Sequence, residues 1–73
     1  MNLARMRVGE SAQVTGIEGD DAISVRLLEM GLTPGVEIKL LGTAPLGDPL
    51  EIELRGYRLS VRKREAERVL LAP

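Results

Sequence analysis

Three carboxylates close together in the chain, Glu18, Asp20 and Asp21, are its densest group of potential metal ligands. Divalent transition ions favour imidazole, thiolate or clustered carboxylates, and the sequence has no histidine and no cysteine. A helix beginning nearby accounts for two of the three, with Asp20 as N-cap and Asp21 opposing the positive helix end, so no metal site is assigned. Ser11, Ser24 and Ser60 are hydroxyls without a histidine base, which leaves no nucleophile and base pair and no catalytic residue. No Gly-x-x-x-x-Gly-Lys-Ser/Thr loop offers a phosphate cradle, and no cofactor is expected. Arg26 and Arg58 are of the type that stabilises phosphoryl transfer at another protein's site, but eight arginines in so small a chain guarantee exposed ones, and a solvated face is the better explanation of both.

The more informative chemistry is apolar contact. Met30, Leu32, Leu41 and Leu46 lie at or beside turn signals, where a small core encloses side chains less readily. Two arrangements are open: several of them group outside as a contact patch, or Met30 and Leu32 plug one end of the core and Leu46 alone is exposed. The segment Ala44, Pro45, Leu46, Gly47, Asp48 and Pro49 is stiffened by its two prolines, which lowers the entropy lost when a partner captures it. It is the leading candidate for a partner-binding loop, although a rigid crossover needed only to close the fold explains it too.

These residues need a frame. Residues 12–17 alternate as a strand, and a helix is expected from about Asp21 to Met30, with Gly31 ending it. Ile23, Leu27, Leu28 and Met30 make its apolar stripe, with Ser24 and Glu29 off that face. Pro34 and Gly35 suit the centre of a type II turn. Residues 36–41 alternate as the next strand, and 42–49, with two Gly and two Pro, read as a loop. Leu50, Ile52 and Leu54 alternate with charged residues, as do Leu59 and Val61, and Gly56-Tyr57 between them suits a type II′ hairpin turn. One helical turn and a closing strand at Val69–Leu71 complete the chain. The sum is an all-β fold, a small SH3-like barrel of about five strands with one short helix, closed so that no edge stays exposed.

Seventy-three residues make one domain, spanning 1–73, whose stability rests on aliphatic packing, helped by any homo-oligomer it forms. Tyr57 is the only aromatic, so bases have no platform to stack on, and nucleic acid is not the expected partner. Charge is uneven: residues 1–54 hold 4 basic against 9 acidic side chains, a net of −5, while residues 55–73 hold 6 against 2, a net of +4. A basic patch and mutual neutralisation by acidic strands both fit that split. No apolar run approaches a membrane span and the first ten residues lack the apolar stretch of a signal peptide, so a cytoplasmic protein without membrane insertion is expected.

Two motifs in order carry a resemblance. Residues 26–35, RLLEMGLTPG, and residues 44–69, beginning APLGDPLEIELRGYRLSV, resemble the FeoA family, as does Val8-Gly9-Glu10 ahead of a strand, over roughly residues 3–71. The resemblance implies an SH3-like barrel without catalysis that accompanies FeoB, the ferrous-iron transporter with a cytoplasmic GTP-binding region, through protein contacts. A related domain follows the DNA-binding part of DtxR-type metal-dependent repressors. The positive segment from Arg55 to Pro73, with that relation, leaves a nucleic-acid-binding or repressor-associated module as the alternative.

Overall fold

The computed structural model describes residues 1–73, and five short strands with two helices account for most of them. A 3-10 turn at Leu3–Arg5 precedes strand β1 (Ser11–Ile17), helix α1 (Ala22–Glu29) and strand β2 (Glu37–Thr43). A second 3-10 turn at Pro45–Gly47 leads to β3 (Leu50–Leu54), β4 (Tyr57–Val61), the one-turn helix α2 (Lys63–Ala66) and β5 (Val69–Leu71). The strands form one antiparallel sheet in the order β4-β3-β2-β1-β5, curled around fifteen buried aliphatic residues. Alternation sets this core: Ile38 and Leu40, then Leu50, Ile52 and Leu54, point inward, while Glu37, Lys39 and Glu53 stay wet. No helix is long and apolar enough to cross a membrane.

The expected all-β class with one main helix holds, and the sheet ends in two unlike edges. β5 is covered, because Asn2 bridges to Leu70 and the Leu71 N–H donates to the Met1 carbonyl at 2.9 Å. β4 pairs with β3 alone, so one edge that full closure would have removed stays open.

Helix α1 starts one residue later than expected. Asp21, not Asp20, is the N-cap: its carboxylate accepts from the Ser24 N–H at 3.2 Å. Ser24 also departs from expectation, since it is buried. Its hydroxyl donates to the Asp21 carbonyl at 2.7 Å, which satisfies the one polar group this inward position carries. Leu28 takes the exposed place, beside Val25.

Asp21 meets a second partner, the guanidinium of Arg68 just before β5. Arg68 chiefly, and the Ser24 N–H next, hold the Asp21 carboxyl below its ordinary range. A carboxyl whose folded pKa is depressed contributes stability above its unfolded pKa of about 3.9, and loses it as pH falls through the lower folded value. Asn at this position keeps the cap and loses the charge. Wild type and Asp21→Asn are therefore expected to differ in urea midpoint at neutral pH and to begin converging only below about pH 4, as the pH falls toward the lower folded value. A gap that stays constant down to pH 2 contradicts this assignment.

At its other end α1 closes in a Schellman motif. The Gly31 N–H donates to the Leu28 carbonyl at 3.0 Å and the Leu32 N–H to the Leu27 carbonyl at 3.2 Å, with Gly31 at φ 106°. The motif drives Leu32 inward onto Leu27, and both are completely buried. A Cβ at position 31 would lie 2.5 Å from the Tyr57 hydroxyl, which donates to the Met30 carbonyl at 2.9 Å. Gly31→Ala combines a disfavoured φ with loss of that hydrogen bond and is expected to cost about 1–3 kcal/mol in denaturant unfolding. An unchanged midpoint would remove this account of the helix end.

The turn at Pro34-Gly35 forms as expected, with the Val36 N–H on the Thr33 carbonyl at 3.1 Å and Gly35 at φ 94°. The β3–β4 hairpin turns one residue earlier than expected. Leu54 pairs with Tyr57, so Arg55 and Gly56 are the central residues, with φ of 50° and 83°. Positive φ at both is the type I′ pattern, whose twist suits the strands. Tyr57 is thereby released into β4.

Candidate functional site

The segment between β2 and β3 is built as a fixed projection. The Ala44 N–H donates to the Pro49 carbonyl at 3.0 Å, closing its base, and the Gly47 N–H donates to the Ala44 carbonyl at 2.8 Å, closing its tip. The Asp48 carboxylate accepts from the Lys63 N–H at 2.9 Å, which ties the segment to α2. Leu46 sits at the tip at φ 71° and ψ 10°, a left-handed conformation that a leucine pays for, and its side chain is fully exposed. A strained backbone and an unburied leucine both work against stability, so the geometry serves something other than the core.

Of the other apolar candidates, Leu41 is half-buried at the irregularity in the β2–β3 pairing between Leu40 and Gly42. It shares a shallow groove with Thr43, Ala44, Glu51 and Arg58, so it adjoins the base of the projection. Pro45 and Asp48 are exposed, and Ala44, Gly47 and Pro49 half-buried. Met30 is half-buried and stands elsewhere. It meets Tyr57 at the first residue of β4, whereas Asp48 is tied to Lys63 just beyond the last, and five residues of strand separate such ends by about 13 Å. Leu32 is withdrawn from the candidate surface, because the Schellman motif encloses it completely. The patch is thus the projection with Leu41, and Met30 is separate from it.

Charged neighbours that the sequence reading did not connect with the loop lie against it. Asp48 and Pro49 line a cleft with Ser60, Arg62 and Arg64, and its signal in the sequence was the positive C-terminal segment. Ser60 Oγ donates to Glu51 at 2.6 Å. Arg26 is engaged, its guanidinium paired with the buried carboxylate of Glu65 so that α1 and α2 are clasped together. Arg58 is exposed and makes no ion pair. Glu18, Asp20 and Asp21 are all exposed, and Asp21 is committed to Ser24 and Arg68.

A family model described as the FeoA domain matches residues 1–73. An Fe(2+) transport protein A/Fe(2+) transporter FeoB fusion protein of Porphyromonas gingivalis is 32% identical over 69 residues, covering 94% of this chain. The chain spans only 8% of that relative's length. Among solved structures, the zinc complex of Stenotrophomonas maltophilia FeoA, described as a procaryotic SH3 domain protein, superposes with a TM-score of 0.86. It is 32% identical, with 99% of this chain and 89% of that one covered. A FeoA-like protein of Clostridium acetobutylicum reaches a TM-score of 0.92 at 36% identity, over 99% and 84% of the two chains.

Proposed function

The chain belongs to the FeoA family, and from that premise we propose that it is a non-catalytic accessory of ferrous-iron uptake, docking on the cytoplasmic side of a FeoB-type transporter. The observation that carries this reading is the fused relative, in which a segment similar to almost all of this chain is joined to FeoB in one polypeptide. Two activities joined in that way work at short range, and separate chains need a surface to achieve the same proximity. Leu46, with Pro45, Gly47 and Asp48 around it, is the surface best suited to that task. Hydrogen bonds at its base, at its tip and from Lys63 to Asp48 fix its shape in the free chain, so capture would cost little entropy.

Burying a fully exposed leucine contributes about 1.5–3 kcal/mol, which corresponds to roughly tenfold to a hundredfold in affinity. The test is uptake of radioactive ferrous iron by cells that carry FeoB and lack this chain. Supplying the wild-type chain should restore uptake, and supplying Leu46→Glu at equal abundance should not. Restoration by both would reject the loop as the docking element, and restoration by neither would reject the role in uptake.

A further inference from the structure

The edge of β4 is open, and it runs beside the base of the Leu46 projection, whose Asp48 and Pro49 share a cleft with Ser60, Arg62 and Arg64. In a two-residue hairpin the pair next to the turn exchanges both backbone hydrogen bonds, and bonded and non-bonded pairs alternate from there. Leu54–Tyr57, Ile52–Leu59 and Leu50–Val61 are therefore the bonded pairs, and the N–H and C=O groups of Arg58 and Ser60 point away from β3. No backbone group elsewhere in the chain meets them, and both residues are exposed. Two donors and two acceptors thus stand in strand geometry with nothing paired to them.

The edge strand and its flanks carry charge of one sign, with Glu53 and Glu51 of β3 standing across from Arg58 and Ser60. Residues 55–64 hold Arg55, Arg58, Arg62, Lys63 and Arg64 and no acidic residue. None of these five side chains forms an ion pair in the molecule, whose two pairs are Arg26–Glu65 and Arg68–Asp21. We propose that the edge of β4 accepts an extended, acidic segment of a partner protein as an added strand, held by backbone hydrogen bonds to Arg58 and Ser60 and by carboxylates facing Arg55, Arg58 and Arg62. Side chains of the added strand that point inward cover Leu59 and Tyr57, so the segment alternates apolar and acidic residues.

A second copy of this chain fits the edge poorly. An antiparallel copy centred on Arg58 sets that arginine against its own counterpart, like charges face to face. Single-stranded nucleic acid matches the charge and fails the backbone, since phosphates offer acceptors only, and Tyr57 is the sole ring.

The test is amide NMR titration of the full chain with a blocked peptide, Thr-Glu-Val-Glu-Val-Glu-Thr, beside its Lys-for-Glu counterpart and a ten-residue oligothymidylate. The expected result is shifts centred on the Arg58 and Ser60 amides with the acidic peptide alone. Arg58→Glu should weaken binding about tenfold or more, equivalent to a single reversed charge contact. Ser60→Pro, which removes an outward N–H and spares the ladder to β3, should abolish it. Should Ser60→Pro fail to fold, Arg58→Glu decides the matter. Leu46→Glu should bind the peptide like wild type, so failure of the transporter reading and failure of this one are distinguishable. No shifts at millimolar acidic peptide, equal binding of the Lys peptide, or the same amides responding only to oligothymidylate would overturn the proposal. So would shifts that grow with protein concentration alone, which would assign the edge to a second copy.

Discussion

Leu46→Gly is expected to leave the protein as stable as wild type or up to about 1 kcal/mol more stable, while partner binding falls by roughly tenfold to a hundredfold. The two effects separate because they have different origins. At φ 71° a leucine carries left-handed strain that glycine does not, and glycine gives part of that gain back through a freer unfolded chain. The lost side chain touches no core residue, since it is fully exposed, so folding gives up no buried contact. Binding gives up the one large apolar group at the tip. Thermal unfolding and a transporter binding assay on the same preparation check both halves. A fall in stability of more than about 1 kcal/mol would mean that Leu46 supports the fold.

Ile52→Ala should have the largest effect on stability. Ile52 is completely buried in β3, paired with Leu40 on one side and Leu59 on the other, where the aliphatic core has no disulfide behind it. Truncation at such a site costs about 2–5 kcal/mol, and a domain of this length has roughly 4–11 kcal/mol to lose. A large unfolded fraction at 37 °C is therefore expected, read by the urea midpoint and by far-UV dichroism. A cost below 1 kcal/mol would show that the core collapses around the missing atoms and is less tightly packed than its burial indicates.

What could be read from the sequence was what short-range chemistry specifies. The strand alternation of Leu50, Ile52 and Leu54, the stop at Gly31, the turn at Pro34-Gly35 and the stiff segment 44–49 each depend on neighbours within a few residues. Leu32, just past a helix end, fitted a surface patch and a core plug alike, and the six-residue hydrogen bond to Leu27 turns it inward. Ser24, expected off the apolar face of α1, is buried on it because its hydroxyl is satisfied locally by the Asp21 carbonyl. The hairpin register slipped by one residue because Arg55 accepts a positive φ that sequence rules reserve for Gly, Asn or Asp.

Contacts between distant residues had no local signal. Arg26 with Glu65 and Asp21 with Arg68 join residues 39 and 47 positions apart. Asp48 with Lys63 sets the projection beside the basic residues after β4, which gave the charge asymmetry a location that composition could not supply. The open edge of β4 likewise follows from strand order, not from the five residues of the strand itself.

The most direct test is equilibrium binding of this chain to full-length FeoB in lipid nanodiscs, with wild type and Leu46→Gly compared under one condition. Saturable binding by wild type, weakened about tenfold or more in the glycine variant at undiminished thermal stability, is the predicted result. Equal Kd values for the two proteins, or no binding by wild type, would contradict it.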